Sequence, residues 1–356
     1  MIPRLTPPTM IKGSALPTFN QICRLSVESD KDDEEPVPFS SLASDEIKLP
    51  QLFGANGKEQ DDREGGALRQ GLPRAIWLGE QHHQAKVLSS QLQIISQLFQ
   101  SCKEPKKVHV VMEHFSVIDQ PLLNVMNNQE GDDFDAGSMS KQESTSEGFN
   151  MSHYLTIVKL VRELGGTVWG GFPPRSWAKL ISKSEDCVFD QVQKLDQERY
   201  NSSSADKREH LIPPLSEKDY RYVENVKWPH RIYLKSMFRP DKRPEILSES
   251  KDHPPLEKKG FLAAQALKDT FLSHSMASIL ARDPENIVVG VAGLGHCEWG
   301  YGAPERLKDM TGIDSFIIMT KPDDSGYWKA LPDEFELASQ WKDKQADVVV
   351  LYEWVD

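Results

Sequence analysis

The sequence predicts an α/β fold: a mixed, mainly parallel sheet flanked by helices on both faces, with an inserted helical cap. Three observations carry that expectation. Short apolar runs at Ala75–Leu78, Lys107–Met112, Thr167–Gly170 and Ile287–Val291 alternate with segments of helical spacing. The run from Ile287 to Val291 has the composition of a strand buried on both faces. Titratable residues follow the strands at once (Glu80 and His82, Glu113, His296), and open α/β sheets build ligand sites at strand carboxyl ends.

Composition narrows the function classes. The 356 residues suit one large domain or two small ones, and a net charge of -12 argues against general nucleic-acid binding, which needs basic surface to displace counterions. No apolar run has the length to span a bilayer. Cys23, Cys102, Cys187 and Cys297 are widely separated and form no CxxC pair, so neither a disulfide framework nor a structural zinc site is expected, and an intracellular, reducing compartment is.

In chain order, residues 1–71 read as an extension. Residues 1–27 lack acidic side chains and carry Arg4, Lys12 and Arg24, which weakly suits a chloroplast transit segment. A plain disordered terminus on a cytoplasmic protein is the alternative. The α/β domain is expected over 72–356. Ala75–Leu78 is its first strand, followed by a helix with Leu88, Leu92, Ile95 and Phe99 on one face. Lys107–Met112 is the second strand. Residues 127–150 are acidic and Ser/Gly-rich, a surface insertion. Tyr154, Val158 and Val161 mark a helix stopped by Gly165 and Gly166, and Thr167–Gly170 is a third strand.

Residues 176–259 are expected to form the cap, with helix-like sequence over Asp186–Arg199 and an amphipathic stretch within Leu211–Val226. Gly260–Arg282 is a strong helix on which Gln265 and Asp269 share a face with Leu272 and Met276. A Gln and an Asp on an apolar face call for polar partners. Gly293 and Gly295 are expected to break the next strand by adopting positive φ, and Pro304 to open a short helix. Strands over Ser315–Met319 and Asp347–Trp354, with a connecting helix over Phe335–Lys344, close the chain.

Glu80, His82, Glu113 and His296 at strand ends are the catalytic candidates, and the same four suffice to hold a divalent metal ion with positions left for water. Hydrolysis would then follow from metal-bound hydroxide, with Arg175 stabilising negative charge, or from a metal-free Glu–His base. Haem binding makes a different demand: an axial His or Tyr, an apolar slot and basic groups for the propionates. The candidates there are His82, His83, His114, His296, Tyr301, Trp77, Trp169, Trp299 and Arg175, and spacing alone selects no axial ligand. Each has a bland counterpart. Glu80 suits a helix cap, Glu113 a structural ion pair with Arg175, and His83 and His114 exposed or hydrogen-bonded histidines. Cys297 beside His296 is not expected to be a nucleophile.

Gly79-Glu80-x-His82, a strand ending in Glu113, Pro174-Arg175, Gln265 with Asp269, Met276-Ala277 and Gly293-x-Gly295-His296 stand in an order that resembles the ChaN-like family. That family comprises haem-binding proteins of iron uptake, in a superfamily with TraB, erythromycin esterase and Tiki metalloproteases. The segments LKDTFLSHSMA and GHCEWGYGAPERL look closer to its plastid-type eukaryotic branch. The resemblance implies haem or another tetrapyrrole as small-molecule partner, with His82, His83, Arg175, Gln265, Asp269, His296 and Tyr301 around it. A homodimer sandwiching the flat ligand is compatible with this. A metal-dependent or Glu/His hydrolase is the alternative function, and a catalytically silent scaffold the third.

Overall fold

A computed structural model describes residues 72–82, 84–128, 151–183, 189–203, 211, 259–322 and 346–352. The extension over 1–71, His83, most of the insertion over 127–150, the Leu211–Val226 stretch beyond Leu211, the end of the cap and the 335–344 helix lie outside the described residues.

The first strand, β1 (Ala75–Glu80), leads through helix α1 (Ala85–Ser101) to β2 (Val108–Ser116). Helices α2 (Gln120–Asn128) and α3 (Met151–Glu163) precede β3 (Thr167–Phe172), and α4 (Arg175–Lys183), α5 (Phe189–Ser202) and α6 (Lys259–Arg282) precede β4 (Ile287–Gly293). Helix α7 (Ala303–Thr311) then joins β4 to β5 (Ser315–Pro322), and β6 (Val348–Tyr352) is the last strand described. The strand order is β3-β2-β4-β1-β5-β6, and every pairing among the described strands is parallel. The predicted α/β class with helices on both faces is therefore the one observed.

Alternation along the strands separates two apolar layers. On one face Ile76, Leu78, Val110, Val289, Val291 and Ile318 pack under α1, α2 and α3 through Leu92, Ile95, Leu98, Leu123, Ile157 and Val161. On the other, Trp77, Val111, Val288, Ala292, Ile317 and Met319 meet Leu272, Met276 and Ile279 of α6 and Leu307 of α7. Helix α6 is long enough to serve two partners. Its second half lies on the sheet, while Leu262, Ala263, Leu267 and Phe271 of its first half pack with Trp177 and Ile181 of α4 and Val192 of α5. Helices α4 and α5 of this third cluster overlap the stretch expected to form the cap, whereas α6 lies beyond it.

The topology places the site. Neighbouring strands β1 and β4 send their connections to opposite faces, α1 to one and α7 to the other. Their carboxyl ends therefore flank a crevice at a topological switch point, where ligands bind in open α/β sheets. Strand β2, on the far side of β4, completes the crevice wall.

Sequence patterns missed α2 and α4, both short. Helix α2 closes the sheet at β3. Asn127 accepts from Val168 N at 3.1 Å and donates to Val168 O at 3.0 Å, while Gln120 accepts from Gly170 N at 2.9 Å. These amides take the place of a further strand and blunt the edge.

The glycines of the β4 turn act differently from expectation. Gly293 has φ -56, and the positive-φ glycines nearby are Gly300 and Gly302. What disfavours a side chain at Gly293 is crowding, since an added Cβ would stand 3.0 Å from His82 Nε2 and 3.5 Å from Glu113 Oε1, so that the imidazole would have to shift. Glycine here makes room for the site.

Gly170 is constrained by backbone, because an added Cβ would overlap the Ser116 carbonyl of β2. Gly170→Ala is expected to destabilise the protein by about 3 kcal/mol, the upper range for overpacking. Chemical denaturation checks it; a change below about 0.5 kcal/mol would contradict this close approach.

Candidate functional site

Glu80 ends β1 with its carboxylate buried at 2% exposure, and four donors surround it. At Oε1, His82 Nδ1 and His114 Nε2 each lie at 2.9 Å and the Tyr154 hydroxyl donates at 3.0 Å. Gln91 Nε2 donates to Oε2 at 2.5 Å. Burial pushes the Glu80 carboxyl up, but the charge and hydrogen bonds of His114 and then those of His82 outweigh it. Its ionisation stays well below the usual carboxylate range, as for a carboxylate accepting several donors. It does not cap the next helix, whose N-cap is Gln84.

Glu113 and His114 are consecutive, so a regular strand would aim them at opposite faces. The β2–β3 pairing shifts register between Met112 and Ser116, and irregularities of this kind re-aim side chains. Both side chains consequently reach the Glu80 cluster. Glu113 Oε1 lies 3.3 Å from His82 Nε2 and 3.9 Å from His114 Nε2, and its Oε2 accepts from Gly293 N at 2.9 Å. The His114 ring stacks on Tyr154 at 3.4 Å between centroids and is fully buried. His82 keeps 36% of its side chain exposed.

His296 closes a 3-10 turn, Leu294–His296, directly after β4. Its Nδ1 lies 2.6 Å from Asp269 Oδ1 on α6, and its Nε2 lies 3.8 Å from Glu113 Oε2. The Phe172 ring, at the end of β3, meets it edge-on at 5.2 Å.

The four strand-end candidates thus converge, with Glu113 between His82 and His296. The tightest set is slightly different from the one expected. Donor atoms of Glu80, His82, Glu113 and His114 lie within 4.8 Å of one another, a nitrogen–oxygen set suited to a transition metal. His114 stands in it where the sequence suggested His296.

The remaining candidates sit around this core. Asp269 is buried, and Gln265 lies one turn earlier on α6, half-buried. Tyr301 is half-buried on the loop before α7. Arg175 opens α4 with an exposed side chain and forms no ion pair among the described residues, Glu113 included. Lys268, largely buried beside Asp269, places its ammonium 5.3 Å from the Phe172 ring centre. Trp77 is sealed in the core, bonded to Ser315 at 3.0 Å, and lines no slot. Trp169 lies at the amino end of the sheet, near His109 and Arg282. Cys297 is fully buried, and burial pushes its thiol well up, which leaves it inert. Gln91 and Tyr154 escaped the sequence reading as site residues. Gln91 carried a signal, an amide one turn from Val87 and Ile95 on the apolar face of α1. Tyr154 carried none, because an aromatic at helical spacing reads as core.

Removing the Tyr154 hydroxyl deletes one donor to a buried ionised carboxylate. Tyr154→Phe is expected to cost about 1.5–3 kcal/mol, the range for hydrogen bonds to charged groups. Urea unfolding monitored by circular dichroism measures it, and wild-type stability in the variant would contradict the role of this bond.

The sequence matches the family described as haem-binding uptake, Tiki superfamily, ChaN, over residues 73–307. No curated protein matches it. Among solved structures, it is similar to ChaN of Campylobacter jejuni, described with cofacial haem binding, at 16% identity and a TM-score of 0.44 over 71% of this chain and 84% of that one. An erythromycin esterase mutant in its open conformation shares 12% identity at a TM-score of 0.35, over 70% of each chain. A succinoglycan biosynthesis protein shares 10% at 0.36, over 80% of this chain and 70% of that one. The family match spans more than half of the sequence, and the chain belongs to that family.

Proposed function

We propose that this member of the haem-binding uptake family binds haem or a related tetrapyrrole in the crevice above β1, β4 and β2, and acts in haem or iron handling. The observation that carries the reading is His82. It is the imidazole of the cluster that combines substantial exposure, 36%, with a fixed ring, held through Nδ1 by the buried Glu80. A haem site needs a reachable nitrogen donor, apolar walls and cationic groups. The residues at hand are compatible with this: His82 and the less exposed His296 both lie near Glu113, Phe172 meets His296, Lys268 places its ammonium near Phe172, and Arg175 is exposed at the start of α4. His114 is excluded as a ligand to a large flat group by its complete burial under Tyr154. When bound, haem would supply an iron centre, and His82 or His296 would be the nitrogen donor offered to it. This chain's own part is to orient that nitrogen and to balance the propionates. The acid-free segment over 1–27 supports a plastid location, with the cytoplasm as the alternative, and the segments LKDTFLSHSMA and GHCEWGYGAPERL support the plastid-type branch of the family.

A second reading, a metal-dependent or Glu/His hydrolase, is favoured by one specific observation, the four donor groups within 4.8 Å. In its metal-free form, His82 Nε2, 3.3 Å from Glu113, is the group placed to hold a proton taken from water; in its metal-dependent form His82 would be one of the ligands.

Haemin titration of the purified chain, followed by absorbance beside His82→Ala, separates them. A saturable Soret shift is expected, weakened at least about tenfold in the variant. No shift in the wild type, with a transition metal in the protein as purified and a chelation-sensitive hydrolysis, would replace the haem reading with the second.

A further inference from the structure

The three imidazoles of the site are not held alike. His82 points Nδ1 at a buried carboxylate, Glu80, and leaves Nε2 3.3 Å from Glu113 Oε1. His296 repeats that arrangement from the other face of the sheet, with Nδ1 2.6 Å from Asp269 and Nε2 3.8 Å from Glu113 Oε2. His114 is reversed and uses Nε2 against Glu80.

We propose that Asp269 is the positioning residue of His296, holding the ring as the Nδ1–H tautomer so that the Nε2 lone pair faces Glu113 and the crevice. An ionised carboxylate only accepts hydrogen bonds, so a ring nitrogen at 2.6 Å from it carries the proton, and the neutral ring then has a bare Nε2. The backbone that carries Asp269 is itself held. Asp269 is 1% exposed, and the Ser273 hydroxyl, one turn on, lies 2.7 Å from the Asp269 carbonyl and 2.7 Å from Ala303 O at the start of α7. This fixes α6 against the element that follows the His296 loop, and Phe172 limits ring rotation from the side. Asp269 therefore acts through His296 instead of touching the ligand. The inference rests on the proposed ligand reading only in making Nε2 the atom offered to the ligand.

The ring 15N resonances of His296 in the full chain, recorded where the ring is neutral, test it directly. Wild type is expected to show a protonated Nδ1 and a bare Nε2. In Asp269→Asn the amide NH2 turns toward Nδ1 and the tautomer reverses or averages; Asp269→Glu restores it. Haemin affinity should fall about 10- to 100-fold in Asp269→Asn, the usual effect of losing a partner that orients a ligand, and recover in Asp269→Glu. A wild-type ring protonated at Nε2 overturns the proposal whether or not any variant folds, as does a wild-type tautomer persisting in Asp269→Asn. An unchanged haemin affinity in a variant with the reversed tautomer overturns the link to the ligand. Wild type that fails to bind haemin removes the haem reading alone, and the tautomers still decide the role of Asp269.

Discussion

A carboxylate buried at the end of the first strand is the constraint on which the site depends. An ionised Glu80 out of water is costly unless hydrogen bonds replace hydration. His82, His114, Tyr154 and Gln91 provide four. Those donors come from the loop after β1, from β2, from α3 and from α1, so satisfying one charge ties the end of β1 to its neighbouring β2 and to two of the helices on that face of the sheet. Such a network is strong only when complete, because a half-satisfied one leaves a buried charge exposed to its own desolvation cost.

The sheet order supplies the rest. With β4 inserted between β1 and β2, the end of β4 falls between Glu80 and Glu113, and the missing side chain of Gly293 leaves space for His82 and Glu113. Helices on one face hold Glu80 and through it His82, while α6 on the other holds His296 through Asp269. Glu113 stands between the two arms and is fixed by a backbone amide of β4.

Much of this was legible in the sequence, for physical reasons. Strands buried on both faces are near-continuous apolar runs, so β1, β2 and β4 were visible together with the polar residues at their ends. The anomaly of Gln265 and Asp269 on an apolar helix face pointed to polar partners, and Asp269 has one in His296. Other features had no local signal. The irregularity that turns Glu113 and His114 to one cluster is a property of the β2–β3 pairing, and a run of residues does not state its register. His114 therefore reads from sequence only as a haem candidate or a hydrogen-bonded histidine and not as a partner of Glu80, and Tyr154 reads as core. Gly293 was legible as a special position, but its reason is a neighbour 211 residues earlier in the chain, His82, and not its own backbone angles.

The most direct test of this account is the ionisation of Glu80, read from the side-chain carboxyl 13C resonances through an acid titration of the folded chain. Its resonance, assigned by loss in Glu80→Gln, is expected to stay at the ionised position well below the ordinary value of 4.5, until acid unfolds the protein. A midpoint near 4.5 or above it, with the fold intact, would mean that the four donors do not hold the charge, and the site as described would not stand.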